Sequence, residues 1–424
     1  MTSRSGRSSS SLSETLAHLH RAEWGRLLSL LVSRTRRLDL AEDALSEAFA
    51  RASSRWRADG VPTNPAGWLY RTAHRQIVGW LRSEAVAARK APLLAVRRDW
   101  VAPDVDGLPD ERLHLILLCC HPALSPTSRS ALALRLVLGT RTDEIARLFL
   151  VAPTAMAARI TRAKKKIVQA GIPLAAPAKD ELRTRLDEVC RTIYLAFTAG
   201  YTPGSGPHLL RADLAREALR LALLLRELVP DASQVKALTA LLLLQHSRRE
   251  ARVKDGRLVT LAAQDRALWH EDEVQAGVAL ARSLAPAQGY AEALRLQALI
   301  ATEHARTANA ESTDWSTIAR LYAALEALTG SPVVRLNRAV AVAEVEGPNA
   351  GLALLETLDE FLANHHRLSA VRAALAERDG DVALARASYQ KAIALCSNDV
   401  EREHLQAQLR GLNEGVKRGV TPPT

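Results

Sequence analysis

Apolar residues recur at helical spacing along nearly the whole chain. In LAHLHRAEWGRLLSLLVSRT, Leu16, Leu19, Trp24, Leu27, Leu28 and Leu31 return every three to five positions, which predicts an amphipathic helix. LDLAEDALSEAFARASSRW follows, with Asp39, Glu42 and Asp43 where a helix N-terminus favours negative charge. Its apolar stripe is Leu40, Ala44, Leu45, Ala48 and Phe49. After the turn DGVPTNPAG, Asn64 is the expected cap and Pro65 the first residue of a third helix. Leu69, Ala73, Ile77 and Leu81 are spaced to be buried there, whereas Trp68, Arg71, His74, Arg75, Trp80 and Arg82 lie largely on other faces.

The stretch ARKAPLLAVRRDWVAPDVDGLPD, rich in Pro, Gly and charge, reads as a linker. Beyond it, residues up to 170 predict four helices. Asp110 caps the first, Ser125 before Pro126 the second, and Thr140 or Thr142 the third. The second ends at Gly139, and Pro153 opens the fourth. The last two, TDEIARLFLVAPTAMAARITRAKKKI, have the proportions of a helix-turn-helix. Ile145, Leu148 and Phe149 are expected to pack on Met156, Ile160, Ala163 and Ile167. Thr154, Ala155, Ala158, Arg159, Arg162, Lys164, Lys165 and Lys166 then point outward.

GIPLAAPAKD marks a further boundary and GYTPGSGP a loop. Helices are expected near 180–199, 209–228, 231–250 and 273–305. Residues 333–358 resemble 366–393, with Gly347 and Gly380 33 residues apart. Gly380, Ala385, Tyr389 and Ala392 follow the spacing of a tetratricopeptide repeat. Such stacks usually bind a partner protein on a concave face, the alternative being an intramolecular clamp.

Composition narrows the class. Runs of strand-favouring residues are scarce, so the expected fold is all-α. Four cysteines are too few for a disulfide framework. The polar start MTSRSGRSSSSLSE is no signal peptide, and the most apolar runs fall short of the ~20 residues of a membrane span. The expected location is cytoplasmic, without membrane contact. Residues 1–172 hold 27 Lys and Arg against 15 Asp and Glu, whereas the remainder holds 30 against 31. A basic segment joined to a near-neutral one suggests a polyanion-binding module attached to something else.

The chemistry points the same way. An exposed face of Arg, His and Trp at 68–82 can neutralise phosphate and stack on unpaired bases. The alternative is that Trp68 and Trp80 are core and the arginines ordinary surface. Small residues at the start of the 153–169 helix let its backbone approach base edges, and its basic end suits phosphate. Cys119-Cys120-His121 lies in an apolar run without a CxxC partner, which argues for buried thiols. No nucleotide-binding, zinc-protease or nucleophile-elbow motif is present, so neither enzyme activity nor any metal or cofactor is expected.

Taken together, LDLAEDALSEAF, NPAGWLYRTA and the four-helix segment DERLHLILLCCHPALSP to TRAKKKI resemble a bacterial RNA polymerase sigma factor of the extracytoplasmic-function type. CCHPALSP and the long extension are similar to a subgroup with a tetratricopeptide-like C-terminal domain. The resemblance implies a disordered lead-in over 1–13, sigma region 2 over 14–90, a linker over 91–108 and region 4 over 109–170. A linker over 171–179, a helical-repeat domain over 180–414 and a disordered tail over 415–424 complete it.

The implied partners are core RNA polymerase, through its β′ clamp helices and β flap, and promoter DNA. Asp39, Glu42, Asp43, Glu47 and Phe49 match the helix that docks on the clamp. Trp68, Arg71, His74, Arg75, Trp80 and Arg82 fall on the −10 helix, and Thr154 to Lys166 on the −35 recognition helix. The chain departs from relatives at Gly79 and Trp80, where an Asp and an Arg are usual, at Ser46 in place of Gln, and at FTAGY (197–201). Two rival readings remain open. One is a helix-turn-helix regulator with a sensing helical-repeat domain; it leaves the helix at 39–49 unexplained. The other is a repeat scaffold, which leaves the charge asymmetry unexplained.

Overall fold

The computed structural model describes residues 5–87, 112–149, 151–170, 172, 179–201, 212–307, 309 and 311–418. The expected linker 91–108, the Asp110 cap and most of the 171–179 and 200–207 segments lie outside them. The chain forms two compact units, residues 1–196 and 197–424.

The first unit begins with α1 (Ser5–Thr35), α2 (Leu38–Asp59) and α3 (Pro65–Ala87). Their predicted stripes meet in one core. Trp24, Leu27, Leu28, Leu31, Ala44, Leu45, Ala48, Leu69, Ala73 and Ile77 are buried, and Leu16, Leu19, Leu40 and Leu81, nearer the helix ends, are half-buried. Asn64 starts α3 as expected, its Oδ1 accepting from the Gly67 N–H at 2.6 Å. α1 starts at Ser5, inside the stretch expected to be disordered. Once a buried segment has nucleated a helix, extending it costs little per residue.

α4 (Arg112–Cys119), α5 (Pro126–Leu136), α6 (Thr142–Leu148) and α7 (Pro153–Gln169) follow. The cap of α6 is Arg141, one residue off either threonine proposed, because Glu144 reaches back to the Arg141 backbone N–H at 3.3 Å. α8 (Lys179–Tyr201) begins at the boundary expected near 171–180, and its residues up to 196 belong to the first compact unit. Its Leu182, Leu186, Val189, Cys190 and Ile193 are buried, and Glu188 pairs with Arg129 of α5 at 3.5 Å. Thr192 lies 3.6 Å from Cys120 Sγ and 3.3 Å from Ser130 Oγ. Burial pushes the Cys120 thiol up to about 12 and also raises Cys119 and Cys190, so all three stay protonated core groups.

The second unit contains α9 (Ala212–Leu228) and α10 (Ser233–His246), then β1 (Val253–Lys254) and β2 (Arg257–Leu258), then α11 (Glu271–Arg282) and α12 (Gly289–Ala305). It continues with α13 (Trp315–Thr329), α14 (Pro332–Glu346), α15 (Pro348–Leu355) and α16 (Asp359–Leu362). α17 (His366–Asp379), α18 (Val382–Leu395) and α19 (Asp399–Arg418) end it. The helix expected over 273–305 is two, because Pro286 lies between α11 and α12 and cannot continue a helix. The expected tail begins inside α19, which runs to Arg418. The β1–β2 hairpin departs from an all-helical pattern. Asp255 and Gly256 both take positive φ, as a two-residue hairpin turn requires. Gly347 and Gly380 also take positive φ at helix ends, and Ala385, Tyr389 and Ala392 are buried between α17, α18 and α19.

Each unit holds a half-buried histidine that resists protonation. Burial first, and then nearby arginines, lowers His20 and His304 to about 4 from the ordinary 6.5. His20 stacks on Trp24 at 4.6 Å, and His304 meets Trp315 edge-on at 5.4 Å. Between pH 6.5 and 4 the unfolded chain takes up protons that the folded one refuses, so stability is lost as pH falls through that window. The free energy of unfolding read from urea titrations is expected to drop between pH 7.5 and 5, by roughly 1–2 kcal/mol per histidine after solvent screening. His20→Gln and His304→Gln should each flatten the pH profile; a profile unchanged in both variants would remove these groups as the cause.

Candidate nucleic-acid interface

Two surfaces of the first unit carry the basic and aromatic residues singled out in the sequence. The first is a groove of about 720 Å³ between α2 and α3. Trp68, Arg75 and Trp80 line it from α3, joined by Thr72, Gln76 and Gly79. Helical spacing puts 68, 72, 75, 76, 79 and 80 on one face. From α2 come Arg51, Ser54 and Arg55, which the sequence reading missed. Their i, i+4 spacing on the polar side of α2 was the available signal. Arg51 pairs with Glu47 at 3.0 Å and Arg55 with Asp59 at 3.1 Å, which holds both on the rim.

Both tryptophans are half-buried, between the two alternatives weighed above. Trp68 is anchored edge-on against Trp56 at 5.3 Å. The side-chain oxygen of Gln76 is buried with no hydrogen-bond partner, leaving an acceptor on the groove wall. Arg71 and Arg82 are exposed but do not line the groove. His74 does not line the groove either: it is half-buried and stacked on Tyr70 at 5.9 Å, and burial, then the nearby Arg34, lowers its pKa.

The second surface is α7. Met156, Ile160, Ala163 and Ile167 are buried, as is Ile145 of α6, and Leu148 and Phe149 are half-buried. The packing of a helix-turn-helix is therefore present. Thr154, Ala155, Ala158, Arg162, Lys165 and Lys166 are exposed, and Arg159 is half-buried. Lys164 is the exception. Instead of facing solvent it reaches Glu42 of α2, with Nζ 2.6 Å from Oε2.

That contact also corrects the acidic set on α2. Glu42 is only 5% exposed, held by Lys164 and by Arg135 of α5 at 3.6 Å. A buried carboxylate needs such partners, because one left alone is costly. Phe49 is half-buried against His20 at 5.1 Å and Trp24 at 6.1 Å. Asp39 is tied to Arg37 at 2.8 Å, which lowers its pKa, and Arg37 also holds Glu84 at 2.8 Å. Only Asp43 and Glu47 of the five stand exposed. The two helical domains are close-packed here: a Cβ on Gly25 of α1 would sit 1.7 Å from the Val137 carbonyl oxygen after α5. The guanidinium of Arg135 lies 5.5 Å over the Trp24 ring at the same junction.

A basic, tryptophan-walled groove and a helix-turn-helix thus share one unit. The sigma-70 region 2 family matches residues 19–86, and the sigma-70 region 4 family matches residues 114–167. Residues 19–86 and 114–167 thus carry sigma-70 region 2 and region 4, the two domains of an RNA polymerase sigma factor. Region 2 is α1–α3 and region 4 is α4–α7. Residues 185–285 match a family of unknown function, DUF6596. The chain is also 41% identical over 382 residues to an uncharacterized protein of Rhizobium meliloti (strain 1021), covering 88% of this chain and 90% of that relative. No solved structure matches the chain. Core RNA polymerase and promoter DNA are the partners that sigma-70 regions 2 and 4 imply, and among the described residues no helix is long and apolar enough to cross a membrane.

Proposed function

We propose that this sigma factor is of the extracytoplasmic-function type, a non-enzymatic cytoplasmic initiation factor that grips promoters at two points. Region 2 docks on the β′ clamp helices through the exposed acids Asp43 and Glu47, and holds unpaired −10 bases in the α2–α3 groove. Region 4 sits by the β flap and places α7 in the −35 major groove. The observation that carries this reading is the groove itself, where three arginines and two tryptophans converge. Arginine neutralises phosphate, and tryptophan stacks on unpaired bases at ~1–3 kcal/mol each. A regulator that binds only closed duplex has no use for such a groove. Run-off transcription with purified core polymerase on promoters of its own genome is the test. Absence of any specific transcript, with promoter binding unaffected by core, would sink it.

Within α7, Ala155 and Ala158 leave direct readout to few side chains, Thr154 and Arg159 first. Arg159→Ala is expected to weaken −35-dependent transcription by ~1–3 kcal/mol and to relax base preference. Lys165→Ala should weaken all sequences alike and reduce the salt slope by about 1. Equal, sequence-independent losses would mean that α7 contributes charge alone.

The C-terminal helices, read as tetratricopeptide-like repeats, regulate initiation in cis and engage a protein partner. Their removal must respect α8. A cut near residue 175 strips buried residues from region 4, so the informative truncation follows Tyr201. Residues 1–201 are expected to transcribe under conditions where the full chain does not, or the reverse. Identical output under every condition would exclude regulation by the extension.

A further inference from the structure

In the second unit, three helix ends bring together ligand atoms of three kinds. His366 is the first residue of α17, Cys396 caps the end of α18, and Glu401 lies in the first turn of α19. A ring nitrogen of His366, Cys396 Sγ and a Glu401 carboxylate oxygen all lie within 4.8 Å of one another. We infer that His366, Cys396 and Glu401 form a binding site for a zinc-class divalent cation. No part of this inference depends on how the first unit engages DNA.

The geometry is close to what the ion needs. Zinc holds nitrogen and oxygen at ~2.0–2.2 Å and sulfur at ~2.3 Å in a tetrahedron, so its ligand atoms stand roughly 3.3–3.7 Å apart. His366 Nε2 and Glu401 Oε2 are 3.0 Å apart, so the pair must open slightly while the sulfur closes in. The two oxygens of Glu401 are already divided between tasks. Oε2 faces His366, and Oε1 accepts from Arg367 at 3.2 Å. An outer arginine on the second oxygen is the kind of partner that orients a monodentate carboxylate.

The chain around the site is fixed in the same way. Asn398, 1% exposed, accepts with Oδ1 from the backbone N–H groups of Val400 and Glu401 at 3.1 and 3.0 Å, which sets the first turn of α19. Arg402 donates to the Cys396 carbonyl at 3.0 Å. His365 stacks on His366 with centroids 5.5 Å apart, and its Nδ1 is buried without a hydrogen-bond partner. Cys396 is 4% exposed, whereas His366 and Glu401 are half-buried and give an ion its way in.

The donor set selects the cation. A thiolate, an imidazole and one carboxylate suit zinc and its neighbours, and an all-oxygen site for magnesium or calcium is not available. Binding takes the Cys396 thiol proton, now donated to the Asn398 carbonyl at 3.4 Å, and releases it to solvent. His366 offers its Nε2 lone pair and keeps its proton on Nδ1. Three protein ligands leave the fourth position to water. An ion there ties the start of α19 to the α17–α18 hairpin.

The test uses the full chain, reduced and stripped by chelator, titrated with cobalt(II) and then zinc(II). One equivalent of cobalt is expected to give a thiolate-to-metal charge-transfer band and tetrahedral d–d bands, both erased by zinc. Cys396→Ser should abolish the charge-transfer band, and His366→Ala and Glu401→Gln should each raise the dissociation constant at least tenfold. Cys119→Ser and Cys190→Ser should leave the band in place. No band in the unaltered protein, or a band that survives Cys396→Ser, overturns the site. Should Cys396→Ser lose its helical circular dichroism, the two half-buried variants decide: unchanged cobalt affinity in both overturns the site as well.

Discussion

Replacing Glu42 with alanine is expected to lower the stability of the first unit by about 2–3 kcal/mol and to loosen region 4 from region 2. The side chain of Glu42 is 7% exposed, and it compensates two cations, Lys164 at 2.6 Å and Arg135 at 3.6 Å. Removing it leaves both without their carboxylate. Breaking a fully buried pair costs ~3–5 kcal/mol; the lower figure here reflects the water that still reaches Lys164 and Arg135. Glu42→Gln keeps an acceptor in place and should cost less. Lys164→Met should also cost less, because Arg135 continues to balance the carboxylate. The order Glu42→Ala, then Lys164→Met, is therefore the signature of this network, read as urea midpoints. Hydrogen exchange should speed up in α2 and α7 together, since the pair joins those two helices. Faster exchange in α2 alone would mean that the junction is held by Gly25 against Val137 and by Arg135 over Trp24, with no contribution from the ion pair.

This contact bears on how the factor engages polymerase. Glu42 lies in the acidic set that the proposed clamp-docking face of α2 draws on, and Lys164 lies on the proposed −35 helix. While they are paired, neither is offered to an external partner. Asp43 and Glu47 remain exposed on α2, and Arg162, Lys165 and Lys166 on α7. On the proposed reading, contacts with polymerase and DNA therefore fall first to these exposed residues.

Much of the helical framework was legible because burial follows period. Leu69, Ala73 and Ile77 sit at i, i+4 and i+8 and are all fully buried; Met156, Ile160, Ala163 and Ile167 repeat the pattern in α7. Asn64 and Pro65 announced a helix start by local chemistry alone. What the pattern could not supply were contacts between residues distant in sequence. Glu42 and Lys164 each fit an exposed polar face, and only tertiary structure brings them together across 122 residues. His366, Cys396 and Glu401 are spaced like no metal motif, because each comes from a different helix end. The β1–β2 hairpin is a different kind of miss. VKDGRLV carries the Asp-Gly turn signal in plain view, and a helix-dominated reading passed over it. Period alone put His74 on a polar face, and it could not show that the ring is half-buried against Tyr70.

Replacing Trp80 with alanine is expected to reduce formation of the open promoter complex by ~1–3 kcal/mol, or roughly 5- to 150-fold, while leaving the fold intact. Trp80 lines the α2–α3 groove without the tryptophan contact that anchors Trp68 to Trp56 at 5.3 Å. Trp68→Ala would therefore mix lost stacking with lost packing, and Trp80 is the cleaner probe. Arg75→Ala removes an exposed charge from the same wall, and should flatten the salt dependence of open-complex formation by about 1 in slope. The measurement is transcription from a duplex promoter beside transcription from the same promoter with its −10 strand already unpaired. A groove that holds unpaired bases makes Trp80→Ala deficient on both templates, because the captured base has lost its stacking surface in each. Deficiency on the duplex alone would assign Trp80 to melting and not to capture, and full activity on both would show that the bases lie elsewhere.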